Sequence, residues 1–538
     1  MSFATNFTLD ALRIAQIQIF GSMFDVAFSR VVVYLLCALI SWRTWRFTVQ
    51  PFFHPDDPEE FPYWVPCHGR SFFLDSTGLL SQARSYFEHS KDPFALTVFG
   101  MTFYIVTHAK HSTEVYRNSN TLSFEQFVQV LMRINGGDGD AIKAMYTALP
   151  ADKPGFPNPK GESLGVLAHR MHAHQLHPGE NLIALQKRVQ AWTDQHVNLA
   201  SLAVFPGAVS KGPTSMEVSL YQWCSMVFIQ LGQDVYFGET LSKIDAGLPG
   251  AFLAFDELIW KMLYQYPNFM SVDMTTPRDR VITCLQKYLQ VPRSRRSDCN
   301  VWLVTAMEDE MRAIGMDGRD LAVVMFHLYL AINTNTRKTA FWVLSYLVHN
   351  PSLLAAYRAE TAAAFGPSGE LVDPFLIQDP SQCPSVDAIW HETLRMSGWA
   401  ASVRLIIADT VVGGKHMRKG NCVMIPHRLL HFDASIFGEE PHRFKPERWM
   451  QKTEKRTGAS SLKRNPSWRP FGGGKTMCSG RFLARFSVTV FVATLLRRFD
   501  VQLVGNPPFP KADEGRPMLG TMSIKEGSDF KVMISLRQ

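Results

Sequence analysis

The run Pro470-Phe471-Gly472-Gly473-Gly474-Lys475-Thr476-Met477-Cys478-Ser479-Gly480-Arg481 constrains this chain more than any other stretch. Three consecutive glycines, one cysteine and a fourth glycine precede an apolar run, Phe482 to Leu496, with helical periodicity. That order predicts a tight loop presenting one sulfur just ahead of a helix, where unpaired backbone N–H groups and the helix dipole favour a thiolate. The glycines permit the close approach that a planar cofactor against the loop requires. One thiolate with no CxxC partner nearby fits a single axial ligand to haem better than zinc or an iron–sulfur cluster. The competing reading is a glycine-rich turn followed by a buried structural cysteine.

Composition narrows the setting. With 538 residues, 46% of them hydrophobic, the chain can bury a large core. A net charge of +7 without an arginine-rich tract argues against nucleic acid and for a basic face toward an acidic redox partner or anionic lipid. Eight unpatterned cysteines point to a reducing compartment.

Leu12 to Trp42 is dominated by apolar residues, with Val31 to Ile40 at its core and Asp25 and Arg30 interrupting it. A span needs about 20 apolar residues, so residues 1–46 are expected to be a marginal membrane anchor, with Arg43 and Arg46 on the cytosolic side. No cleavage site follows the run. Asn6-Phe7-Thr8 would be a luminal sequon. Residues 47–69, with five prolines from Pro51 to Pro66, predict a stiff hinge. The remainder, 70–538, carries a helix over Leu79–His89, strands over Ala95–Phe99 and Met101–Thr107 turned at Gly100, and a helix over His111–Tyr116. From Leu164 to Ala200 come one or two amphipathic helices with loosely spaced histidines that do not form a metal cluster. Asp320 to His349 is the longest helical pattern, yet Asn333-Thr334-Asn335-Thr336 puts four polar side chains in its apolar middle, and buried polar groups need a reason.

Phe471-x-x-Gly474-x-Thr476-x-Cys478-x-Gly480 resembles the haem-binding signature of the cytochrome P450 superfamily, with Thr476 where a basic residue usually stands. Glu392-Thr393-Leu394-Arg395 and Pro446-Glu447-Arg448 follow the family's order and spacing. The resemblance covers residues from about 60 to the end. It implies a mainly α fold with a smaller β domain, preceded here by the N-terminal membrane-anchor helix. It also implies haem b on Cys478, a propionate contact from Arg404 with Arg170 or His174 as a weaker candidate, and shaping of the haem pocket by Phe471, Gly474 and Gly480. Glu392, Arg395 and Arg448 would form a buried structural triad. Phe124, Phe127, Val128, Val130 and Leu131 would roof the substrate, the aromatic stretch Phe252–Met270 would supply lid helices, and Ala400 to Ile406 and Met518 to Met522 would line the pocket.

The central run resembles the sterol 7-hydroxylase and prostacyclin synthase branch, which also has Asn at the usual threonine position. Thr334 then takes the acid position, Asn335 the threonine position, and Thr336 follows, these three being the candidate catalytic residues. The implied activity is a monooxygenase oxidising a lipophilic polycyclic substrate (steroid, triterpenoid or meroterpenoid-like) in a fungal biosynthetic pathway, with O2 and electrons from NADPH through cytochrome P450 reductase. The expected enzyme is a monomer held in the endoplasmic-reticulum membrane with a cytosolic catalytic domain. The branch leaves a reductase-independent isomerase or dehydratase of peroxides open. A non-catalytic haem or lipid-binding membrane protein is the third class.

Overall fold

The computed structural model describes residues 29–64, 67–88, 90–296, 301–450 and 462–537. Helices dominate, and the strands form a six-stranded sheet, a four-stranded sheet and a hairpin. In the first, β1 (Glu59–Glu60), β2 (Phe94–Val98), β3 (Met101–Ile105), β4 (Leu122–Ser123), β7 (Ala401–Ile406) and β10 (Cys422–Pro426) run in the order β1-β2-β3-β10-β7-β4. In the second, β5 (Ala208–Lys211), β6 (Ser215–Ser219), β11 (Phe499–Leu503) and β12 (Lys531–Leu536) run β11-β12-β6-β5, and β8 (Thr410–Val412) pairs with β9 (Lys415–Met417). The β2–β3 turn falls where the sequence placed it, with Gly100 at φ +80°, a conformation glycine adopts without penalty.

The core is helical. Its axis is the central helix, which the sequence reads as one element and the structure divides into Gly318–Asn333 and Thr336–Val348. Tertiary hydrogen bonds converge on the break: Thr334 Oγ1 donates to Asp256 Oδ1 at 2.8 Å, and Asn335 Oδ1 accepts from the Thr521 N–H at 2.9 Å. These outside partners satisfy the polar side chains that the apolar helix could not. The helix Leu220–Phe237 comes in close because residue 232 is glycine; a Cβ there would stand 2.2 Å from Asn333 Oδ1.

The membrane-anchor expectation is corrected. Among the described residues, the helix long and apolar enough to cross a membrane lies near the C-terminus, Gly474–Arg498, with 67% of its apolar window buried. It is the core helix behind the cysteine loop. The anchor reading failed for a physical reason: in its described part the unbroken apolar run is Val31–Ile40, about half of what a span needs. The two arginines taken as its cytosolic flank are engaged elsewhere, Arg46 with Glu60 at 2.8 Å and Arg43 over the Trp64 ring at 4.3 Å. The single-pass endoplasmic-reticulum location rested on that anchor and falls with it. Residues 1–28, with the Asn6 sequon, lie outside the described residues, as do Lys452, Lys455 and Arg456 of the expected basic face. The proline-rich segment after the anchor is tied to the sheet domain: it supplies β1, and Arg418 pairs with Asp57 at 3.0 Å.

Candidate functional site

A cavity of about 890 Å³ lies between the central helix, the cysteine loop and the six-stranded sheet. Cys478, Phe471, Gly472, Thr476 and Gly480 form one wall, and Ala331, Ile332, Asn335, Thr336 and Thr339 face it from the central helix. Cys478 sits in a turn closed by its own N–H to Phe471 O at 3.0 Å, three residues before the helix Arg481–Arg498 begins. Its exposed surface belongs to the cavity. Burial pushes the thiol above its usual value, opposed by the N–H groups of Gly480 and Arg481 and by the Arg481 guanidinium, so the helix-terminus effect read from the sequence is present but outweighed by burial. Gly474 sits at φ +63°, and a Cβ there would meet Tyr116 O at 2.6 Å, so the loop can pack this tightly only with glycine.

Arg404, on β7, is 5% exposed and lines the same cavity. Its guanidinium donates to Val403 O at 2.9 Å and to the Thr476 hydroxyl, and no carboxylate pairs with it among the described residues. Burial lowers its pKa, as expected for a cation short of counter-charge. Beside it, Ser402 Oγ, Tyr116 OH and His427 Nε2 lie within 3.1 Å of one another. Burial and the cations of Arg469 and Arg404 push His427 down to about 4, so this imidazole is neutral.

Several expected residues lie elsewhere. Arg170 pairs with Glu162 at 2.6 Å and is absent from the cavity wall; His174 packs on Trp302, and it is His172, two residues from each on the helix Leu164–Leu176, that reaches the cavity. Thr334 faces Asp256, away from the cavity, because one residue turns its side chain by about 100° from Asn335. Asn335 and Thr336 do line the cavity; Asn335 Oδ1 is occupied by the Thr521 N–H, while Thr336 Oγ1 makes a 3.4 Å contact to Ile332 O. Phe124, Phe127, Val130 and Leu131 reach the cavity and Val128 does not. They come from a helix, Glu125–Ile134, and its preceding residue. From the lid stretch only Leu263, Tyr264 and Gln265 contribute; Phe252 and Phe255 pack on Tyr329 and Phe326 in the core. Ile406 and Met522 are buried off the cavity, whereas Ala400 to Leu405 and Met518 to Thr521 line it.

Behind the cysteine loop, Glu392 takes hydrogen bonds from Arg395 Nε and Nη2, Arg448 Nε, the Lys445 N–H and Trp449 Nε1, at 2.7–3.1 Å. Arg395 also donates to His431 O and Pro441 O. A second buried cluster was not anticipated: Arg337 and Lys338, consecutive on the central helix, both meet Asp256. Nor was Arg428, an isolated arginine beyond β10 that reaches the cavity wall. Its only sequence signal is a charge standing between apolar strand residues and Leu429-Leu430.

The comparisons with known proteins agree with this geometry. The chain is similar to the cytochrome P450 monooxygenase poxD of Penicillium oxalicum, 26% identical over 465 residues covering 84% of this chain and 88% of that one. It is similar to the cytochrome P450 monooxygenase nodJ of Hypoxylon pulicicidum, 22% identical over 531 residues and 94% of each chain. It is also similar to human 7-alpha-hydroxycholest-4-en-3-one 12-alpha-hydroxylase, 27% identical over 334 residues, 59% of this chain and 66% of that one. Fungal monooxygenases and animal sterol hydroxylases thus stand side by side, and no single branch dominates. The cytochrome P450 family pattern matches residues 208–527, more than half of the chain, so this is a monooxygenase-type enzyme that belongs to the cytochrome P450 family.

Proposed function

We propose that residues 70–538 form a haem-thiolate catalytic domain that oxidises a lipophilic, polycyclic substrate of biosynthetic character, with electrons from NADPH through a cytochrome P450 reductase. The observation that carries this reading is the pairing, in one apolar cavity, of a single cysteine on a glycine loop with a buried guanidinium that has no carboxylate partner among the described residues. Such a cation needs an anion to offset its desolvation. The acid groups of haem b fit it, and the hydroxyls of Ser402 and Thr476 add donors or acceptors around it. Bound there, haem would supply the oxidative chemistry that side chains lack. Cys478 Sγ would hold it on the loop side, and Phe471, Gly474 and Gly480 would let it lie close.

On the opposite side, Asn335, Thr336 and Thr339 are the polar groups of the central helix that meet substrate and water. No Asp or Glu lies on the cavity wall among the described residues. A hydroxyl or amide orients a proton donor and does not itself serve as the acid, so proton delivery runs through Thr336, water or the substrate. The same lack of an acid favours a second reading, rearrangement of a peroxide substrate without reductase.

A carbon-monoxide difference spectrum of the reduced protein tests the thiolate: the thiolate-type Soret band is expected in the native enzyme and lost in Cys478→Ala. A native spectrum without that band sinks the assignment. Product formation with reductase and NADPH, set against turnover of an organic hydroperoxide alone, decides between the two reactions.

A further inference from the structure

The wall of the cavity carries two charged side chains among the described residues, and both are arginines. Arg404 belongs with the cysteine loop through Thr476. Arg428 stands apart. In the β7–β10 ladder Arg404 faces Val423, and the strand continues three residues, about 10 Å, to Pro426 before turning into the helix that holds Arg428. The neighbours there are the C-terminal loop and the first helix of the sheet domain, Ser76–Tyr86, which contribute Pro517, Met518, Ser76 and Thr77 to the same wall.

Arg428 is held firmly and satisfied poorly. Its guanidinium carbon lies 3.5 Å from the centre of the Trp399 ring and 4.2 Å from that of Phe432. Trp399 is itself fixed, its Nε1 donating to Thr77 Oγ1 at 3.1 Å and Glu514 O at 3.3 Å. Stacking fixes the plane of the fork and leaves its five N–H donors to be paired at the edge. Among the described residues it makes one hydrogen bond, from Nη2 to the Glu514 carboxylate at 3.4 Å, a long ion pair to a side chain that is 54% exposed. Burial draws the pKa of Arg428 down to about 10, with the Glu514 carboxylate opposing the shift and the Arg395 cation adding to it.

Resting on the reading above, we propose that Arg428 receives a carboxylate of the substrate, so that the enzyme acts on a lipophilic carboxylic acid held by its acid end while its apolar body extends along the cavity. A planar carboxylate matches the exposed edge of the guanidinium with two parallel hydrogen bonds. A doubly charged phosphate would be left half-neutralised at an end of the cavity that offers one cation. The charge logic separates the arginines: Arg404 meets the acid groups of the cofactor beside the thiolate, and Arg428 meets that of the substrate toward the C-terminal loop.

The test uses haem-loaded enzyme and three acid and methyl-ester pairs with polycyclic and linear bodies: deoxycholate, abietate and palmitate, each against its ester. Binding is followed by titration calorimetry, which needs no haem signal. At least one acid is expected to bind the native enzyme ten-fold or more tightly than its ester, and Arg428→Gln is expected to remove that preference with the haem content and carbon-monoxide spectrum unchanged. Equal affinities within every pair, or no binding of any acid, overturn the proposal, as does a preference that survives in Arg428→Gln. Loss of haem from Arg428→Gln also overturns it, since Arg428 would then serve the cofactor. A missing thiolate band in the native enzyme would instead fail the haem reading and leave the calorimetric comparison standing on its own.

Discussion

Two buried ion clusters flank the cavity, and they are balanced differently. Behind the cysteine loop, Glu392 faces Arg395 and Arg448, and the cations that outnumber it are absorbed by carbonyls: Arg395 donates to His431 O, Pro441 O and Arg443 O, and Arg448 to Phe437 O, Glu440 O and Arg443 O. Behind the break in the central helix, Asp256 faces Arg337 and Lys338, with all three side chains buried. Arg337 finds further partners in Ser225 at 2.7 Å, Tyr221 at 3.2 Å and the half-exposed Glu257 at 2.8 Å. Lys338 has Asp256 Oδ2 at 3.0 Å and no well-formed hydrogen bond from its Nζ. The first cluster is closed by those carbonyls, while in the second, among the described residues, Lys338 has only an Asp256 oxygen that it shares with Arg337. A buried pair is costly to break but adds little over a hydrophobic replacement, so the two should respond differently to the loss of single charges.

The largest effect is expected from Glu392→Gln. Among the described residues it removes the one carboxylate paired with the Arg395 and Arg448 guanidiniums and replaces an acceptor for five donors with an amide, which should cost about 3–5 kcal/mol. The check is the thermal midpoint together with haem retention, both of which should fall. Asp256→Asn should cost less, about 2–3 kcal/mol, because Glu257 still meets Arg337. It should also shift the Soret response to bound substrate, since Thr334 loses its charged acceptor next to Asn335 and Thr336. A larger loss for Asp256→Asn than for Glu392→Gln would break the contrast.

The same contrast shows what the sequence made legible. The Glu392–Arg395 pair is three residues apart on one helix, so periodicity announces it, and the cysteine loop announces itself through glycines that only a close approach explains. The family-wide order of motifs placed Arg448 although it lies 56 residues from Glu392. Asp256 is 81 residues from Arg337 and ends a helix whose other residues are apolar; no local pattern links them. Thr334 was assigned by position in a motif, but one residue along a helix turns a side chain by about 100°, and Asp256 supplied a partner on that side. Arg170 failed likewise: its helix was foreseen, its facing was not, and Glu162 took it. The anchor was misread because apolar composition and flanking charge were read along the sequence, where the pairing of Arg43 and Arg46 with Trp64 and Glu60 depends on the folded chain.

The smallest effect, and the sharpest probe of the shared carboxylate, is Lys338→Met. Burial lowers the pKa of Lys338, Asp256 opposes this, and Arg337 adds repulsion to the burial. Arg337 is shifted the other way, because its carboxylates and Tyr221 outweigh its own burial. The two cations compete for one carboxylate, and the guanidinium wins through its extra hydrogen bonds. A base whose folded pKa lies below its unfolded value is protonated more readily in the unfolded chain, so the folded state gains stability as pH rises from the lowered value toward the ordinary lysine value of about 10.4. At pH 7 Lys338→Met should therefore be neutral or stabilising by about 1 kcal/mol, since methionine fills the space of the stem without a charge to desolvate. As pH is raised toward that of free lysine, the native enzyme should gain on the variant until the difference closes. Thermal midpoints of both proteins across that pH range measure it. A variant clearly less stable at pH 7, with the difference widening as pH rises, would make Lys338 a full partner of Asp256 and the two clusters alike.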